Sequence, residues 1–237
     1  MNILIKLGKN YYSSIEEFAK EIYLQHEEAL ALIKSEKFLK ILYNYNQKMY
    51  NNIVELMSSP FQQDALLFKV QYILNPIMGL CYHNYYFDNF VSLGKQIIAY
   101  GPKVDIYLKD FLKYKLLSYY MEITKYNIKN PSLYKNVKEL EEEFLNNENR
   151  AYFKLGFLLE GSNIIIYNGK KFVESKKLFE YLIMPVNIID VAKDFIKNQY
   201  VLAWLEIKGF QKEIVLFENL VISIEQKERK NDSIRKI

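Results

Sequence analysis

Two histidines and one cysteine set the first limit on the chemistry this chain can carry. His26 lies in the run HEE, and Cys81 and His83 are two positions apart on a stretch that reads as a strand. Alternate residues of a strand share a face, so Cys81 and His83 point the same way. A nucleophilic Cys–His pair also needs a mutual hydrogen bond and an orienting third group, which residues two apart on one strand rarely supply. Cys81 therefore reads as a buried core residue and His83 as a turn residue. So few ligands cannot build a Cys/His zinc site of standard spacing, and no cofactor is expected.

Gly-Lys occurs at Gly8-Lys9, Gly94-Lys95 and Gly169-Lys170. None has the preceding glycine and following Ser/Thr of a phosphate loop. Glu206-Ile207-Lys208, with Asp190 or Asp194 upstream, has the spacing of a metal-dependent nuclease, in which carboxylates hold a divalent ion that activates water. Asp190 and Asp194 fall in a helical pattern and Glu206 follows the helical motif that ends at Trp204, so salt-bridging surface charges are the plainer reading. A third pattern interleaves lysines with tyrosines: Lys109, Lys113, Tyr114, Lys115, Lys125 and Tyr126. Bases stack on aromatic rings while lysines neutralise phosphates, so this stretch is the candidate surface for nucleic acid. Its periodicity also fits a core stripe of Leu108, Leu112, Leu116 and Tyr119 with lysines reaching outward. The catalytic residue types are too sparse to point to an enzyme.

Half of the 237 residues are hydrophobic and a quarter are charged, the balance of a folded globular chain. The net charge of +4 is mild for a dedicated nucleic-acid binder. With one cysteine no intrachain disulfide can form, and the apolar runs are too short to span a bilayer, so a cytoplasmic protein that does not enter membranes is expected. The 21 tyrosines and 15 phenylalanines are unusual, and tyrosine suits recognition surfaces.

Three segments of similar pattern recur about 80 residues apart, longer than the usual solenoid period. Anchored on Gly8, Asn84 and Gly169, they align an aromatic at Tyr11, Phe87 and Phe172, then apolar positions ending at Ile22, Ile98 and Ile183. Lys176 and Gly94 depart from the pattern. Phe68-Lys69 and Phe153-Lys154 precede the second and third segments at one distance. Asn168-Gly169 is the strongest short hairpin signal, because both turn residues must accept positive φ. Leu7-Gly8 and His83-Asn84 read as weaker versions. Helix starts are expected at Ser13 or Ser14, a helix from about Gln62 to Leu74 before Pro76, and a last helix from Gln211 past Ile224. The run from Glu139 to Glu143 reads as a solvated face, and Trp204 as core.

The expected fold is α+β and helix-dominated, with three diverged repeats of a β-hairpin followed by helices, over residues 1–62, 63–147 and 148–237. The expected role is a non-enzymatic binding or regulatory protein whose partner is another protein or a macromolecular complex such as a ribonucleoprotein. Tyr82, Tyr85 and Tyr86, crowded around the second turn, are the candidate contact residues.

Overall fold

The computed structural model describes residues 3–161, 164–183 and 195–234. The chain is helix-dominated and carries small antiparallel hairpins. It divides into two compact units, Met1–Asn89 with Ile106–Glu141, and Phe90–Asp105 with Glu142–Ile237.

The first unit begins with a hairpin of β1 (Ile5–Leu7) and β2 (Asn10–Tyr12). Helices α1 (Ile15–Glu21), α2 (His26–Ile33), α3 (Glu36–Tyr45), α4 (Gln47–Met57) and α5 (Gln63–Leu74) follow. Short polar side chains start several of them. Ser14 accepts from the Glu17 amide, Ser35 from Phe38 and Asn46 from Met49, each satisfying an amide of a first helical turn. Helix α5 is buried on every side from Ala65 to Leu74, as a helix apolar all round must be. It packs on α1, α2 and α4 and on α8 (Leu116–Ile123), and ends before Pro76. The unit is completed by β3 (Leu80–Tyr82) with β4 (Tyr85–Phe87), by α7 (Ile106–Lys113) and α9 (Tyr126–Lys129), and by most of α10 (Pro131–Glu143).

In the second unit, α6 (Phe90–Ile98) packs on α11 (Glu148–Glu160), which in turn packs on α13 (Gln199–Ile207). Gly161, at φ +70°, closes α11 in the left-handed conformation that glycine adopts without cost. Strands β5 (Ile165–Tyr167) and β6 (Lys170–Phe172), α12 (Ser175–Ile183) and α14 (Gln211–Ile234) complete the unit. Helix α14 buries Ile214 and Val221, while Leu216 and Leu220 stay exposed. Trp204 is fully buried in α13. Among the described residues no helix is long and apolar enough to cross a membrane.

The three hairpins share one construction. Each has two three-residue strands, a two-residue turn and a two-residue link into a helix. The turns are Gly8-Lys9, His83-Asn84 and Asn168-Gly169. Both Asn168 and Gly169 adopt positive φ, as an Asn-Gly turn requires, whereas only the first residue does so at Gly8 and His83. This corrects the alignment of the first segment by one residue, since Gly8 matches His83 and Asn168. The inward aromatic is then Tyr12 rather than Tyr11, beside Phe87 and Phe172. The same shift aligns Phe18, Leu93 and Leu178, all fully buried, puts Lys176 in line with Glu16 and Val91, all exposed, and places Gly94 opposite Ala19.

A second correction concerns the acidic run. Glu139 is exposed, but Glu141 is buried and its carboxylate accepts from the Ser118 amide in the first turn of α8. Helix α8 starts at Lys115 in the left-handed region with no side-chain cap, so a distant carboxylate serves its positive end.

Candidate functional site

The second hairpin and the helices beside it enclose a recess of about 680 Å³ in the first unit. Its wall combines Tyr23 and Leu24 after α1, Gln71 and Asn75 at the end of α5, Met78, Cys81 and His83 on the hairpin, and Tyr85 and Tyr86 at the mouth. The α5 helix stops before Pro76 and the chain returns at once as β3, so Gln71 meets the Cys81 side chain while Asn75 reaches back to α1. The Tyr72 hydroxyl fixes this corner by donating to the Gly79 carbonyl at 2.8 Å and accepting from the Cys81 amide at 2.9 Å.

The polar groups of the recess are mostly committed to one another. Gln71 Nε2 donates to the Ala19 carbonyl at 3.0 Å and lies 3.4 Å from Cys81 Sγ. Burial pushes the Cys81 thiol up, with hydrogen bonds from Tyr72 and Gln71 acting against it. A thiol held above its ordinary value is protonated at neutral pH and is a poor nucleophile. Asn75 Nδ2 donates to the Glu16 carbonyl at 3.2 Å. Its Oδ1 is buried and accepts no hydrogen bond among the described residues. An unpaired buried acceptor on a cavity wall costs free energy that a donor on a ligand would recover.

A polar cluster lies at one side. Asp64, in the first turn of α5, meets His26 Nε2 at 2.5 Å and His83 Nε2 at 3.5 Å through its two carboxylate oxygens. The Tyr23 hydroxyl donates to the Asp64 carbonyl, and the Tyr23 ring packs on Tyr82 and His83. Burial raises the Tyr23 phenol well above its usual value. No group of three or more His, Cys, Asp or Glu among the described residues is arranged to hold a metal ion.

The candidate contact tyrosines separate. Tyr82 is fully buried, its hydroxyl donating to Asp110 Oδ2 at 2.7 Å and its ring among Phe68 and Phe111, so it offers no surface. It is the inward residue of β3, and Cys81 and His83, one step away on the strand, face the recess instead. Tyr85 is half-buried and stacks on Phe87. Tyr86 is 68% exposed and leans over Gly79, where an added Cβ would meet its hydroxyl at 2.6 Å. In the corrected register its counterpart in the first hairpin is Tyr11, also exposed.

Among the lysine–tyrosine candidates, Lys113, Lys115 and Lys125 are exposed, while Lys109, Tyr114 and Tyr126 are half-buried. Lys115 and Lys125 sit at positive φ where the helix breaks, so the stretch is three short helices rather than one stripe. Glu206 is engaged by Arg150 at 3.1 Å and Lys154 at 3.0 Å; Asp190 and Asp194 lie outside the described residues. The pairing of His26 with Asp64 was not foreseeable, because nothing in either local pattern links them.

No family model matches the chain, and comparison with curated proteins and with solved structures finds no match.

Proposed function

We propose that the protein is a non-enzymatic binding module that takes an extended segment of another protein into the recess beside the second hairpin. The observation that carries this reading is the orphaned acceptor Asn75 Oδ1, buried in the wall of a cavity whose mouth is formed by Tyr85 and Tyr86. A peptide amide supplies the missing donor, and an apolar or aromatic side chain suits the surfaces of Leu24, Met78 and Tyr86. The protonated Cys81 thiol and the mutual engagement of its neighbours favour binding over covalent chemistry.

On this reading the hairpin units are diverged copies of one ancestor, over residues 1–62, 63–147 and 148–237, and the second has been adapted for contact. The identical hairpin construction supports common ancestry, as does the recurrence of Phe68-Lys69 and Phe153-Lys154 at one offset from their turns. Selection of displayed random peptides against the folded chain tests the proposal. Enrichment of one motif, retained at high salt, lost in Tyr86→Ala at unchanged melting temperature and lost in Asn75→Leu while that variant is still folded, is the expected result. Peptides that bind both variants as well as the parent, or no enrichment, would overturn it. Salt-sensitive binding of a single-stranded oligonucleotide in place of any peptide would favour the nucleic-acid reading on Lys109, Lys113, Lys115 and Lys125.

A further inference from the structure

A second cavity of the first unit, about 540 Å³, opens beside Lys69. Lys69 is only 8% exposed, because α5 is buried on all sides and this position faces the interior. Its ammonium forms no hydrogen bond or ion pair among the described residues. It lies instead 3.9 Å from the centroid of the Phe61 ring and 5.2 Å from that of Tyr119. The Tyr119 hydroxyl is spent on the Lys69 carbonyl at 3.1 Å. Rings attract a cation, but they do not replace the hydrogen bonds an ammonium loses when it leaves water.

The molecule holds its own control. Lys154 occupies the matching place on α11, directly after a phenylalanine as Lys69 does. It is also largely buried, yet its ammonium meets Glu143 Oε2 at 2.5 Å and Glu206 Oε2 at 3.0 Å. In one unit the buried lysine is saturated by carboxylates from its own chain; in the other the same kind of lysine faces a cavity. Burial accordingly lowers the Lys69 amine, with the charges of Glu141 and Glu122 opposing; burial also acts to lower Lys154, but Glu143 and Glu206 together outweigh it and raise that amine.

The lining narrows the ligand. Leu56, Ile73 and Ile123 give the cavity an apolar body. Glu55 and Glu122, both exposed, stand at its rim. Glu55 and Glu122 are screened by water, so at contact distance the buried ammonium governs; it satisfies a single negative charge, whereas a second charge, as on a phosphate ester, would meet only the rim carboxylates. We propose that this cavity binds a monocarboxylate with an apolar body, its head group on the Lys69 ammonium and its hydrocarbon or aromatic part against Leu56, Ile73 and Ile123. The site is separate from the recess at the second hairpin.

Titration of the whole chain with octanoate and with phenylacetate, each beside its neutral alcohol and beside octyl phosphate, tests this by calorimetry and by protein NMR. At least one carboxylate should bind saturably, with shifts centred on Phe61, Ile73 and Ile123. The alcohols and the phosphate should bind at least ~10-fold more weakly, the factor set by one charge-assisted hydrogen-bond pair. Lys69→Met should weaken carboxylate binding by at least the same ~10-fold without lowering the melting temperature, since it removes a buried charge that lacks a counterion. Should Lys69→Met fail to fold, Ile123→Trp, which puts a bulkier side chain into the cavity's apolar body, must abolish binding. Absence of carboxylate binding, equal binding of the alcohols, or binding indifferent to these variants would overturn the proposal.

Discussion

Replacing Glu141 by glutamine should stabilise the protein at neutral and alkaline pH and leave it nearly unchanged in mild acid. Glu141 is 1% exposed. One carboxylate oxygen accepts from the Ser118 amide at 3.0 Å, and the other is buried with no partner among the described residues. Burial drives its carboxyl from 4.5 up to about 7, with hydrogen bonds from Ser118 and the charges of Lys138 and Lys115 pulling the other way. Between these two values the folded chain holds a proton that the unfolded chain has lost. Stability is therefore fully present below the unfolded value and falls as pH rises through the window toward 7. At ~1.4 kcal/mol for each pKa unit the loss reaches about 3 kcal/mol. Glutamine does not titrate, and its amide oxygen still accepts from Ser118. Urea denaturation of the parent and Glu141→Gln at a series of pH values should show curves that nearly coincide near the unfolded value. Above neutrality they should separate by about 3 kcal/mol in favour of glutamine, at equal m-values. A stability difference independent of pH, or a glutamine variant less stable in alkali, would refute the burial argument.

Gly94→Ala should destabilise by about 1–3 kcal/mol in denaturant titration, although alanine is the better helix former, because its Cβ would meet the Glu160 amide nitrogen at 2.5 Å and the Gly156 carbonyl at 2.8 Å. Glu206→Gln should cost about 1–3 kcal/mol by the same measurement, since Arg150 and Lys154 each lose a charged acceptor while the shape is kept. Trp204→Ala should cost about 3–5 kcal/mol, as for other fully buried aromatics, and a near-parental melting temperature would contradict that. The Cys81 thiol should react with iodoacetamide at neutral pH several-fold more slowly than free cysteine, followed by mass spectrometry; a rate equal to that of the free thiol would show that burial does not protect it.

Much of the fold was legible because its signals are local. Asn168-Gly169 specifies a turn through backbone sterics alone, Ser14 caps through one hydroxyl, and Pro76 ends α5 through its own ring. The one-residue slip at the first hairpin arose because glycine occupies the first turn position there and the second in the third hairpin, so aligning glycine with glycine displaced everything after it. The site was far less legible. Side-chain alternation alone does not say which face of β3 meets the core, and Tyr82 rather than its neighbours fills it. Likewise, a run of glutamates reads as solvated until one of them is needed to receive a distant helix start.

The two central helices show how one pattern can yield two surfaces. At the close approach of α1 and α5, Ala19 faces Gln71, and the Gln71 amide bridges the gap by donating to the Ala19 carbonyl. At the matching approach of α6 and α11, Gly94 faces Gly156, and the backbones close until neither position has room for a methyl group. Glycines exclude polar side chains from that contact, which leaves nothing for a ligand to address. Glutamine keeps the helices apart and presents its amide beside Cys81, and one turn further on Asn75 presents an acceptor that nothing fills. In the first unit the recess opens beside these two side chains. Gln71→Gly deletes a side chain that lines the recess together with its hydrogen bond to the Ala19 carbonyl, so it should widen the recess, lower the melting temperature and weaken peptide capture.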